Sequence, residues 1–109
     1  MAKIAKIAKN AKAQQEFVVG FYRARFDKNR FKKGTLAQLV EYYQSTLECG
    51  KAYEHERGNK KISLTPRNIE SLVKNLNAAQ DNRMANGYSE DYYFIANEAD
   101  LEGAEISAC

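Results

Sequence analysis

The sequence contains no Trp, one Pro, one His and two Cys, and it has no long apolar run. Two cysteines, one of them the terminal Cys109, cannot build a disulfide-rich scaffold or a four-thiolate zinc site. No segment approaches the roughly 18–20 consecutive apolar residues of a membrane-spanning helix. The opening Met1–Ile7 carries lysine at every third position and so offers no signal-peptide core. The six glycines are isolated, and none belongs to a phosphate-cradling Gly-Lys-Ser/Thr loop. His55-Glu56 runs into Arg57-Gly58, without the second histidine of a zinc-protease helix. Cys49 lies six residues before His55, about 240° away around a helix, so the two do not form a nucleophile–base pair. These absences leave no catalytic residue, no metal site and no cofactor to expect.

Basic residues are missing from the last fifth of the chain. Residues 88–109 hold Glu90, Asp91, Glu98, Asp100, Glu102 and Glu105 with no Lys or Arg, a net −6. Residues 1–34 hold ten basic residues against Glu16 and Asp27, a net +8, and residues 35–87 are nearly balanced at +1. The overall +3 therefore conceals a basic end and an acidic end, with different partners or with each other as partner.

What is present reads as helix. Residues 2–13 repeat Ala-Lys-X, a helix-favouring composition with little to bury beyond Ile4 and Ile7. Phe17, Val18, Phe21, Tyr22 and Phe26 follow a helical stripe, predicting a first helix over 14–26 and a polar basic link over 27–34. Thr35 and Gln38 fit a capping box, and Leu36, Leu39, Val40, Tyr43 and Leu47 mark one face of a second helix over 35–57. Thr65 and Pro66 start a third over 66–86, with Ile69, Leu72, Val73 and Leu76 inward. The stretch 89–101 fits a fourth helix on Ser89 or a short strand at Tyr-Tyr-Phe-Ile, and 102–109 a flexible acidic tail. The expectation is one all-α domain over 1–101, a three-helix or four-helix bundle with a basic arm over 1–13.

Three functional classes remain open to such a protein. Tyr22, Arg23, Arg25, Lys28, Arg30, Phe31, Lys32 and Lys33 place cations beside aromatics, the composition of an interface anchor or of a nucleic-acid surface. Lys3, Lys6, Lys9 and Lys12 form a secondary basic arm. In the pairs Tyr42-Tyr43 and Tyr92-Tyr93, one ring can be core and its neighbour surface. The first expectation is a cytoplasmic regulator or inhibitor that docks this surface onto an acidic site of a larger protein. Accessory proteins of phages and mobile elements, acting in the host cytoplasm, have this size and charge segregation. The second is a DNA- or RNA-binding protein using the same residues. The third is an assembly subunit whose arm orders in a homo-oligomer. None of the three calls for a membrane.

Overall fold

The computed structural model describes residues 15–57, 60–83 and 90–109. The arm over 1–13, with Lys3, Lys6, Lys9 and Lys12, lies outside the described residues, as does the part of the expected third helix beyond Arg83. In chain order the elements are β1 (Glu16–Arg23), β2 (Lys28–Thr35), α1 (Leu36–Tyr42), α2 (Gln44–Arg57), α3 (Ile69–Arg83), β3 (Tyr92–Ile95), α4 (Glu98–Leu101) and β4 (Ile106–Ala108). The sheet order is β3-β1-β2-β4, with β1 antiparallel to β2 and β3, and β2 parallel to β4. The fold is α/β with a mixed four-stranded sheet, which overturns the expected all-α bundle.

The misreading has a physical cause. The stripe Phe17, Val18, Phe21, Tyr22 fits a period of 3.6, but Phe17, Val19 and Phe21 also alternate, and they are the residues packed toward the helices. Phe-Val-Val-Gly-Phe-Tyr is rich in β-branched and aromatic residues, with a glycine that weakens a helix. The expected polar link is its partner strand: β1 and β2 pair from Glu16↔Thr35 to Arg23↔Lys28. Between them Asp27 takes a left-handed backbone conformation, φ 49°. Farther on, the strand reading of Tyr-Tyr-Phe-Ile is the one the structure adopts, as β3.

The helical layer follows its sequence signals more closely. The capping box is formed: Gln38 N donates to Thr35 Oγ1 at 3.2 Å and Thr35 N donates to Gln38 Oε1 at 2.9 Å. The predicted 35–57 helix is interrupted at Tyr43, which separates α1 from α2. The third helix begins three residues late, because Asn68 rather than Thr65 caps it, accepting from Ser71 N at 2.7 Å. Ile69, Leu72, Val73 and Leu76 are buried as their spacing requires. They meet Leu39, Tyr43, Leu47, Val19 and Tyr93 in one core between the helices and one face of the sheet.

Two devices fix this layer. A Cβ on Gly50 would run into Ala79, so glycine is what lets α2 approach α3 so closely. Asn77 bonds the outward backbone of β3, with Tyr93 N donating to its Oδ1 at 2.7 Å and its Nδ2 donating to Tyr93 O at 3.0 Å. That edge is thereby occupied at Tyr93 and tied to α3.

Candidate functional site

Side chains alternate along a strand, so Lys28, Arg30 and Lys32 share one face of β2. Their β1 partners are Arg23, Phe21 and Val19, which makes it the helix-side face. The helical layer leaves this part of β2 uncovered: Lys28 and Arg30 are exposed and Lys32 is half-buried. Alternate positions lie about 6.6 Å apart along a strand, so the three cations span about 13 Å in a straight row. Arg23, directly across from Lys28, adds a fourth charge at the hairpin end.

An aromatic ring closes each end of the row. At the hairpin turn Phe26 is 52% exposed, with the Arg23 guanidinium 4.8 Å and the Arg25 guanidinium 5.7 Å from its ring centre. At the other end Lys32 Nζ stands 4.3 Å from the ring centre of Tyr42, itself 54% exposed. Two clefts follow the row and share Arg30. The hairpin cleft, about 460 Å³, is lined by Arg23, Phe26, Lys28, Asn29 and Arg30. The lower cleft, about 490 Å³, is bounded by Arg30, Lys32, Tyr42, Tyr43, Tyr93 and Ser107 among others. Neither has a carboxylate in its lining.

The ion pairs among the described residues are Lys33–Glu16, Lys51–Glu54 and Lys60–Asp81, so none of them engages the row. Asp27, nearest in sequence, accepts instead from Tyr22 Oη at 2.8 Å. Burial lifts the Tyr43 phenol well above its usual range, reinforced by the neighbouring phenols of Tyr93 and Tyr42. Burial likewise raises Tyr93, with Arg83 opposing it. Both therefore stay neutral hydroxyl donors at physiological pH.

The surface expected from sequence is divided by the sheet. Arg23, Lys28, Arg30 and Lys32 stand together, with Arg25 at the turn. Tyr22, Phe31 and Lys33 belong to the opposite face. There Tyr22 lies against Tyr92 at 5.3 Å, Phe31 is buried edge-on to Phe94 at 6.1 Å, and Lys33 pairs with Glu16 at 4.0 Å. The residues that sequence reasoning left out of the site are Phe26 and Tyr42. A period-2 reading of 28–32 would have found the row, since i, i+2, i+4 cations mark one side of a strand.

The acidic end is built into the same sheet. β4 pairs with β2 from Phe31↔Ile106 to Lys33↔Ala108, and Cys109 N donates to Lys33 O at 2.8 Å. Glu105 lines a third recess together with Asn29, Arg30, Phe31 and Ser107, so a carboxylate stands on the far side of Arg30 without forming an ion pair with it. Among the described residues no three His, Cys, Asp or Glu side chains gather as metal ligands, and Cys49 and Cys109 are free thiols. No helix there is long and apolar enough to cross a membrane. No protein-family model, curated protein or solved structure matches the chain.

Proposed function

We propose that the protein is a stoichiometric binding protein, not a catalyst, and that its β1–β2 hairpin holds a single-stranded nucleic acid along β2. The observation that carries this reading is the row Lys28–Arg30–Lys32, evenly spaced on one face, free of ion pairs among the described residues and ended by Phe26 and Tyr42. Evenly spaced cations suit a ligand whose charge repeats along a backbone, and exposed rings suit bases, which present a π-face whatever the sequence. An acidic patch on a folded protein lacks that repeat, whereas exposed rings serve either kind of partner. The protein partner expected first from composition uses the same cations, which makes it the competing outcome of the test.

That test is fluorescence anisotropy with a labelled oligothymidine and, in parallel, a labelled poly-glutamate peptide of similar charge. The oligonucleotide should bind more tightly, and the double variant K28E/R30E should lose about tenfold or more of that affinity. K74E, an exposed change on α3 away from the row, should leave it unaltered. Preference for the peptide, or equal loss with K74E, would overturn the reading.

A further inference from the structure

The lower cleft differs from the rest of the row in having a rigid floor with unused hydrogen bonds. Tyr93 stacks on Phe21 with ring centres 4.4 Å apart, and Tyr43 meets Tyr93 edge-on at 5.7 Å. Tyr42 meets Tyr43 edge-on at 4.8 Å. The rings hold one another, so the cleft is formed before any ligand arrives. Tyr43 and Tyr93 are 8% and 9% exposed, yet neither phenol hydroxyl has a protein hydrogen-bond partner among the described residues. Both residues line an open cleft, where a ligand with acceptor atoms can take the hydrogen bonds that water otherwise accepts. Above it stand Arg30 and Lys32, and no carboxylate lines the space.

We propose that this cleft is a pocket for a single nucleotide bearing a phosphomonoester, the phosphate held by Arg30, Lys32 and the two buried phenols and the base lying on Tyr42. The inference rests on the groove reading for its ligand class and goes beyond it by assigning a position to a strand's terminal phosphate. A phosphomonoester carries nearly two charges and three acceptor oxygens at neutral pH. An internal phosphodiester carries one charge and two free oxygens. Two cations and two phenol-bearing residues lining one cleft match the monoester. The volume, about 490 Å³, is within the range of small-molecule sites and suits one nucleotide. Lys32 lies over Tyr42 and still leaves more than half of that residue exposed to receive a base.

The same ligand chemistry arises from a free nucleotide or from the end of a strand, and the experiment separates them. The full-length protein is titrated with thymidine 5′-monophosphate, thymidine and inorganic phosphate by NMR, and with 5′-phosphorylated and unphosphorylated oligothymidine by anisotropy. Thymidine and inorganic phosphate should each bind about tenfold or more weakly than the nucleotide, and the phosphorylated oligonucleotide should exceed the unphosphorylated one by a similar factor. Y43F, which keeps the ring, and K32Q, a partly exposed change that leaves the core intact, should each remove most of that difference. If only the phosphorylated strand binds well, the terminal source is assigned; if only the free nucleotide does, the groove reading fails and the pocket stands. Equal affinity for both oligonucleotides with no nucleotide binding, or inorganic phosphate bound as tightly as the nucleotide, overturns the pocket and leaves the groove untouched.

Discussion

Asn82 is 1% exposed and makes three hydrogen bonds, donating to Gly50 O at 3.2 Å and Lys60 O at 2.9 Å and accepting from Lys60 N at 3.1 Å. One amide thus joins α2, α3 and the segment after α2. In sequence it sits in the run Asn75, Asn77, Gln80, Asp81, Asn82, Asn86, a hydrophilic helix face that reads first as solvated and second as a hydrogen-bonding surface. Asn75 instead holds Ser63, with bonds of 3.3 and 3.4 Å, and Asn77 holds β3, so much of that face is inward-bonded. N82A should therefore destabilise the protein by about 2 kcal/mol or more, because it leaves buried backbone groups unpaired. Urea denaturation measures this, and a loss under about 0.5 kcal/mol, the size of an ordinary surface change, would contradict it. The buried phenols make a second prediction. Tyr43 and Tyr93 resist ionising in the fold, whereas tyrosines of the unfolded chain ionise near pH 10. Above that pH the unfolded state binds fewer protons than the native one, so stability is level below about pH 10 and falls as pH rises past it. The urea midpoint should show this fall, and Y43F should make it shallower; an unchanged slope would remove Tyr43 from the account.

At the scale of elements, two positions decide how the strands and helices begin and pack. The Thr35 cap is expected to be worth about 1 kcal/mol, so T35A should lower the urea midpoint accordingly without altering the sheet. Gly20 is buried under the ring of Phe94, whose Cε atoms would lie 2.6 and 2.7 Å from an added Cβ. G20V should cost about 1–3 kcal/mol, by displacing a ring that packs against Phe31 and Tyr92. A neutral outcome at Gly20 would mean that the ring moves aside freely. The contrast between these positions also shows what the sequence could convey. Thr35-x-x-Gln38 is a local signal with one meaning, and it was legible. Phe17 to Phe26 is ambiguous because residues 17 and 21 are in phase for both a helix and a strand. The ambiguity is resolved by pairing with Lys28–Thr35, a strand with too little apolar character to advertise itself. The candidate site inherited that ambiguity: its cations were identifiable by type, but their division between two faces depends on the strand period.

Across the whole molecule, the two charged ends of the chain meet in one sheet. The basic hairpin supplies β1 and β2, and the acidic end returns through α4 to place β4 beside β2. All three residues of β4 are exposed, so this edge is held by backbone pairing with little apolar burial. β4 also brings Ser107 to the lower cleft. Charge segregation along the chain therefore becomes a sheet with one cationic groove, whose two clefts have no carboxylate in their lining while Glu105 shares a recess with Arg30. The dependence of oligothymidine binding on salt tests that groove most directly. A single-stranded ligand that meets a cation through its phosphate contributes about −0.7 to the slope of log K against log salt. Comparing the protein with R30Q cancels every contribution from elsewhere in the chain, including the lysines near the N-terminus. The groove predicts a slope shallower by about 0.7 in R30Q, alongside weaker binding. Equal slopes and equal affinities would show that the row on β2 does not hold the strand.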